Sequence, residues 1–259
     1  MTKKEQSKLY EFDESRLHRL RKLAVVGDIH GDDFVLCSML KIIDPKKDGI
    51  VFLGDYADRG LKGFDVIAIV DSLIKKYPKN IVALKGNHED YSVNGEPKFQ
   101  PCDLIYEVES KGRDWHRYFQ EKLKPFIDNL YLAAIIPDEV LFVHGGISSK
   151  IKGLDNLKYP TRSVEIDVLW SDPFDGDDEL PSIRGAGTIF GRDITKKVCD
   201  SLKIKRIIRS HEPMKAISGP NYEHDRRIIT VSSTSSYGGK PFILIIDAKE
   251  PSNISTNFL

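Results

Sequence analysis

Three short apolar runs, at residues 23–26, 50–53 and 81–84, each lead into a glycine followed by an acid or an amide, the last after Lys85: Gly27-Asp28, Gly54-Asp55 and Gly86-Asn87. The stretches between them carry helical periodicity, predicting helices over 32–43, stopped by Asp44-Pro45, and over 64–77. The runs themselves are four residues long and rich in valine and isoleucine, which suits strands buried on both faces. A β-α-β-α-β order requires crossover connections, so these strands are predicted to be parallel neighbours with helices packed over them. All three polar loops then lie at the carboxyl ends of their strands, where open α/β sheets bind ligands.

The later half predicts a helix over 115–130 and a hairpin of runs 131–136 and 139–143 turning at Pro137-Asp138. Further strands are predicted at 206–209, 227–231 and 242–246. So many strands, with helices mainly in the first half, predict an α/β fold of two packed mixed β-sheets flanked by helices. Residues 1–20 read as a charged helical lead-in, with Leu9, Phe12, Leu17 and Leu20 packing on the body. The chain shows no repeat and no long linker, so residues 1–259 are expected to form a single catalytic domain.

Lys+Arg and Asp+Glu are equal at 39 each, so the net charge gives no reason to expect nucleic acid or an anionic membrane as partner. No apolar run approaches the roughly 20 residues of a membrane span. The charged start has no hydrophobic region of a signal peptide behind it. Cys37, Cys102 and Cys199 are scattered and unpaired in pattern, as expected of reduced thiols in the cytoplasm.

Two more loops extend the pattern: the hairpin ends in His144-Gly145-Gly146, and a later strand ends in Ser210-His211-Glu212. Carboxylate oxygens and imidazole nitrogens hold manganese, iron or zinc. Asp28, His30, Asp55, Asn87, His144 and His211 supply six such groups. A carboxylate such as Asp55 can bridge two ions about 3.5–4 Å apart, the arrangement of many phosphatases. One such residue alone would read as ordinary turn chemistry, but five loops that each follow an apolar strand do not. The remaining histidines, His18, His116 and His224, have charged neighbours and are expected to be solvated.

In order, Gly27-Asp28-Ile29-His30-Gly31, Gly54-Asp55-Tyr56-Ala57-Asp58-Arg59-Gly60, Gly86-Asn87-His88-Glu89, His144-Gly145-Gly146 and Arg209-Ser210-His211-Glu212 resemble the phosphoprotein phosphatase family of serine/threonine phosphatases. Leu169-Trp170-Ser171-Asp172-Pro173, and Arg184-Gly185 followed by Phe190-Gly191, are similar to that family's pattern as well. The resemblance runs over roughly 22 to 246, and the short chain resembles a compact, archaeal-like member of the calcineurin-like metallophosphoesterases.

The resemblance implies that Asp28, His30 and Asp55 hold one metal ion, and that Asp55, Asn87, His144 and His211 hold the other. It implies His88 as the general acid that protonates the leaving oxygen, oriented by Asp58. Arg59 and Arg184 match the arginines that grip phosphate, with Asn87 beside them and Tyr237 overhanging the site. Glu89 closes its motif as a support for the loop. Gly238 stands where many members have cysteine, which removes their site of covalent capture by cyclic peptide toxins.

The implied reaction is hydrolysis of phosphoserine and phosphothreonine by a metal-bridging hydroxide, with manganese expected and iron or zinc as alternatives. Planar guanidinium groups suit phosphate oxygens, and a histidine with a carboxylate partner suits the acid opposite the attacking oxygen. Phosphoproteins are the expected partners; regulatory subunits are not legible. The competing readings are a dinucleoside polyphosphate hydrolase or other metallophosphoesterase, and a dead scaffold that only binds phosphoproteins. The acidic run Asp172 to Glu179 raises one further possibility, a preference for substrates with basic residues beside the phosphate.

Overall fold

The computed structural model describes residues 6–259. In chain order its strands are β1 (Leu9–Glu11), β2 (Lys22–Val26), β3 (Gly49–Phe52), β4 (Ile81–Ala83), β5 (Ala133–Ile136), β6 (Val140–Val143), β7 (Asp172–Pro173), β8 (Glu179–Pro181), β9 (Thr188–Phe190), β10 (Arg206–Arg209), β11 (Asn221–Glu223), β12 (Ile228–Thr230), β13 (Phe242–Asp247) and β14 (Ile254–Phe258). They form a six-stranded sheet ordered β1-β5-β6-β10-β12-β11 and a five-stranded sheet ordered β14-β13-β2-β3-β4. A small third sheet, β7-β9-β8, stands apart from these two.

The β-α-β-α-β expectation holds. Strands β2, β3 and β4 are parallel neighbours, joined by the helices Asp33–Ile42 and Gly63–Lys76. The first helix is capped by the Asp32 carboxylate, which accepts the Val35 N–H. In the other sheet β5 and β6 form the hairpin, with Asp138 in the left-handed region at its turn.

Strand alternation explains how the sheets pack. From β2, Leu23 and Val25 point between the two sheets, where they meet Ile136, Phe142, Ile208 and Leu244. Ala24 and Val26 point the other way, into a second core under the helices with Phe52, Val66 and Val70. The far face of the six-stranded sheet packs Leu141, Val143 and Ile207 against Val168 and Val198 of the helices Arg162–Trp170 and Arg192–Leu202. Central strands such as β3, β5 and β6 are covered on both faces and read as unbroken apolar runs, whereas the edge strands β11 and β14 are partly exposed and mixed in sequence.

The amino-terminal reading requires correction. Leu9–Glu11 is a strand, pairing in parallel with β5, and the only helix before residue 22 among the described residues is the four-residue Glu14–Leu17. Leu9, Phe12, Leu17 and Leu20 are buried as expected, but strand pairing rather than helical amphipathicity places the first two. Residues 1–5 of that lead-in lie outside the described residues. The helix expected over 115–130 is present as a helical run from Trp115 to Asp128, with a widened π turn at Phe119–Leu123.

Candidate active site

The loops after β2, β3, β4, β6 and β10 meet at one end of the sandwich. Two serine hydroxyls tie the sheets together there: Ser210 Oγ accepts the Asp28 N–H (2.8 Å) and Ser233 Oγ accepts the Gly27 N–H (2.9 Å). This contact between sheets brings His211 beside Asp28, whose Oδ1 accepts the His211 N–H (3.2 Å).

Asp55 stands at the centre. Its Oδ2 is 3.6 Å from His30 Nε2 and its Oδ1 is 3.4 Å from His144 Nε2. Donor atoms group on either side of it, with His30 and His88 in one cluster and His144 and His211 in the other. Asp28 lies beside both, 4.0 Å from His30 Nε2 and 3.8 Å from His144 Nδ1. All these side chains are buried.

The loop backbone is held in conformations that ordinary residues avoid. His30, Asp55, Asp58, Arg59 and His211 all have positive φ, between 48° and 69°. Strain of this kind persists only where the surroundings over-determine it. One cause is Glu89, whose carboxylate accepts the N–H groups of Asp55 (2.9 Å), Tyr56 (3.1 Å) and Gly86 (2.8 Å). Gly86 must be glycine, because a Cβ there would collide with Asp55 Oδ1.

Each imidazole is oriented by its far nitrogen. His30 Nδ1 donates to the Ala57 carbonyl (3.0 Å) and His144 Nδ1 to the Leu53 carbonyl (2.9 Å), leaving both Nε2 lone pairs facing inward. Burial lowers His30 to about 4 and holds His144 and His211 well below the usual histidine range. Burial likewise raises Asp55 well above the usual carboxylate range.

These groups fit divalent cations on structural grounds. Asp28 Oδ2 and His211 Nε2 are buried without a hydrogen-bond partner among the described residues. His144 Nε2 faces Asn87 Oδ1 at 2.9 Å, lone pair against lone pair, because its Nδ1–H is already committed to Leu53. Buried orphan acceptors and neutral imidazoles around a carboxylate are the donor set such ions take.

His88 differs from the other imidazoles. Its Nδ1 lies 2.7 Å from Asp58 Oδ2, whose other oxygen accepts the Leu104 N–H (2.8 Å). Burial pushes its pKa down, but the Asp55 and Asp58 carboxylates outweigh burial and raise it to about 9. Phe99 packs on the ring with centroids 4.5 Å apart.

The outer residues are exposed. Arg59 reaches solvent while its backbone N–H donates to Asp103 Oδ2 (3.0 Å). Arg184 Nε donates to Asp172 Oδ2 (2.6 Å). Tyr237 is half-buried, its ring 5.7 Å from that of His30, and both Arg59 and Arg184 act on its hydroxyl electrostatically.

Some of what holds the site was not read from the sequence. Arg209 is a fully buried cation that donates to the Gly145 carbonyl, to Glu212 Oε2 (2.6 Å) and to Asp172 Oδ1 (2.7 Å). It therefore joins the loop after β6, the loop after β10 and the anchor of Arg184. A charged residue closing an apolar strand was the signal that could have found it. Asp103 and Phe99 come from a stretch with no motif. His224, expected in solvent, is buried; its Nε2 donates to the Phe174 carbonyl (2.9 Å), and Thr195 Oγ1 lies 2.7 Å from Nδ1. Charged sequence neighbours misled that reading, because the contacts that bury it come from distant segments. The acidic run is also partly spoken for: Asp175 pairs with Arg192, Asp172 with Arg184 and Arg209, and Glu179 accepts the Ser149 N–H.

Comparison with known proteins agrees with this geometry. The calcineurin-like phosphoesterase family model matches residues 21–215. A protein phosphatase 2A catalytic subunit of Dictyostelium discoideum is 34% identical over 236 residues, covering 86% of this chain and 72% of its own. The serine/threonine-protein phosphatase rdgC of Drosophila melanogaster is 33% identical over 84% of this chain, which spans only 35% of that protein's length. Among solved structures, a protein serine/threonine phosphatase from Saccharomyces cerevisiae superposes with a TM-score of 0.81 at 25% identity, over 98% of this chain and 84% of its own. A cold-active protein tyrosine phosphatase (TM-score 0.65, 17% identity, 97% of this chain and 80% of its own) shares the fold. So does a protein assigned as a diadenosine tetraphosphatase (TM-score 0.58, 14% identity, 97% of this chain and 98% of its own). The chain belongs to the calcineurin-like phosphoesterases, and within them to the phosphoprotein phosphatase family of serine/threonine phosphatases.

Proposed function

We propose that this protein is a metal-dependent phosphatase that hydrolyses phosphoserine and phosphothreonine monoesters of proteins. The observation that carries the reading is Asp55, one buried carboxylate between two histidine clusters, with the His88–Asp58 pair beside it. The substrate class rests on the two relatives named as serine/threonine or type 2A phosphatases. The full chain acts as one catalytic unit in this reading.

Asp28, His30 and Asp55 would hold one divalent cation, and Asp55, Asn87, His144 and His211 the other, with manganese the ion expected and iron or zinc the alternatives. When bound, the pair would supply a water acidified toward hydroxide and positive charge beside the phosphoryl oxygens. Arg59 and Arg184 would clamp two phosphate oxygens, Arg184 being preset by its bond to Asp172. Tyr237 and the side-chain amide of Asn87 would close over the same group. His88, oriented through Nδ1 by Asp58, would give the Nε2 proton to the departing serine or threonine oxygen. Direct attack by water needs no phosphoenzyme, so no serine or cysteine nucleophile is required. No helix among the described residues is long and apolar enough to cross a membrane. All three cysteines are free thiols, and the cytoplasm is the location this reading favours.

The test is phosphate release by metal-stripped protein given manganese. Phosphoserine, phosphothreonine and phosphotyrosine peptides are compared with diadenosine tetraphosphate. Preference for the phosphoserine or phosphothreonine peptide, abolished in Asp55→Asn, is the expected result. Cleavage of the dinucleotide alone would assign the chain to the polyphosphate hydrolases instead.

A further inference from the structure

The turn that carries Asn87 and His88 is bracketed by two charges of opposite sign: Lys85 stands immediately before Gly86 and Asp90 immediately after Glu89. Both charges reach the same helix. Lys85 Nζ donates to Glu165 Oε1 (2.8 Å) and to Asp90 Oδ1 (3.3 Å). Arg162 donates to Asp90 Oδ2 through one terminal nitrogen and to Glu165 Oε2 (2.8 Å) through the other. The four side chains close a ring of alternating charge in which the Asp90 side chain is 4% exposed.

Arg162 and Glu165 lie in the first turn of the helix Arg162–Trp170, which Thr161 caps. The other end of that helix presents Trp170, whose ring stands 5.8 Å from His211, and leads into Asp172, the partner of Arg184. One rigid element therefore touches the His88 turn at its start and the opposite wall of the site at its end. Isolated surface ion pairs contribute little, but a ring around a buried carboxylate couples its members.

We propose that Lys85, Asp90, Arg162 and Glu165 are positioning residues, which staple both ends of the Gly86–Glu89 turn to the helix and thereby aim His88 at the leaving oxygen. This deepens the phosphatase reading and rests on it. None of the four touches the reacting atoms. A general acid matters most for a poor leaving group such as a serine alkoxide, and least for p-nitrophenolate. A misaimed His88 therefore has a signature that a merely loosened fold lacks: the loss depends on the leaving group.

The experiment measures kcat and KM of the full chain with manganese, on a phosphoserine peptide and on p-nitrophenyl phosphate. The variants are Asp90→Asn, Arg162→Gln and the double substitution, and bound manganese and Tm are recorded for each. Expected is a fall in kcat of about tenfold on the peptide and under about twofold on p-nitrophenyl phosphate, with KM and bound manganese near wild type. The double variant should lose no more than the worse single one, because both break one ring, and Arg162→Lys should recover part of the loss. Should Asp90→Asn fail to fold, Arg162→Gln, on a side chain 43% exposed, carries the test alone. Equal losses on both substrates, or a lower Tm with unchanged kcat, would overturn the proposal. A wild-type chain inactive on both substrates would instead overturn the phosphatase reading itself.

Discussion

The inner and outer parts of this site are built on opposite principles. Asp28, His30, Asp55, Asn87, His88, His144 and His211 are buried, and three of them sit in left-handed backbone that Glu89, Gly86 and the serine ties of the two sheets enforce. Arg59, Arg184 and Tyr237 carry their side chains on loops open to solvent, each held by few contacts, although the Arg59 backbone shares the left-handed conformation of the inner loops. In the proposed reading, the groups that would hold the metal charge in a fixed geometry are over-determined by the core, whereas those that would meet the substrate hang from its edge. Damage to the inner set should abolish the reaction, and damage to the outer set should tune it.

The largest effect is expected from Asp55→Asn, which removes the carboxylate common to both clusters: kcat falls by about a thousandfold or more, and bound manganese falls with it. Metal analysis showing full occupancy would break the idea of a shared ligand. Next comes His88→Asn, for which kcat should drop by about 10²- to 10⁴-fold with bound manganese unchanged. Because one His88 nitrogen also sits in the cluster with His30 and Asp55, loss of metal in that variant would make it a ligand and redraw the inner set.

For the rim, Arg59→Ala and Arg184→Ala should each lower kcat/KM by about ten- to a hundredfold, since a hydrogen bond to a charged group contributes about 1.5–3 kcal/mol. Metal content should stay at the wild-type level; if it fell, the boundary between inner and outer parts would be misplaced. The smallest effect is expected from neutralising Asp175, Asp177, Asp178 and Glu179 together. Two of these are already partnered, by Arg192 and by the Ser149 N–H, so discrimination between basic and neutral phosphopeptides should move by no more than about twofold. A selective loss of kcat/KM on basic phosphopeptides would make that loop a specificity element after all.

The same divide marks where the chain was legible. Asp28, His30, Asp55, Asn87 and His88 follow short parallel strands, so the strand pattern alone already sets them on one edge. His144 and His211 could be named from their motifs, but the order of the six-stranded sheet decides that they reach Asp55. Arg209 had a local signal, a charge closing an apolar strand, but its burial depends on Gly145 and Asp172 from other segments. Asp103 and Phe99 carry no local signature, because they act on Arg59 and His88 from a stretch with no motif. Residues 9–11 misled for the same reason: they pair with a strand more than a hundred residues later.

By itself the sequence determined the α/β class, the parallel strands and the kinds of donor at their ends, since hydrophobic period and turn chemistry act over a few residues. Only the tertiary structure decided that Asp55 stands between two histidine clusters, that Arg209 is buried, and that Lys85 and Asp90 are fastened to one helix. Those are facts of long-range packing, in which a side chain's environment comes from segments that no local pattern specifies.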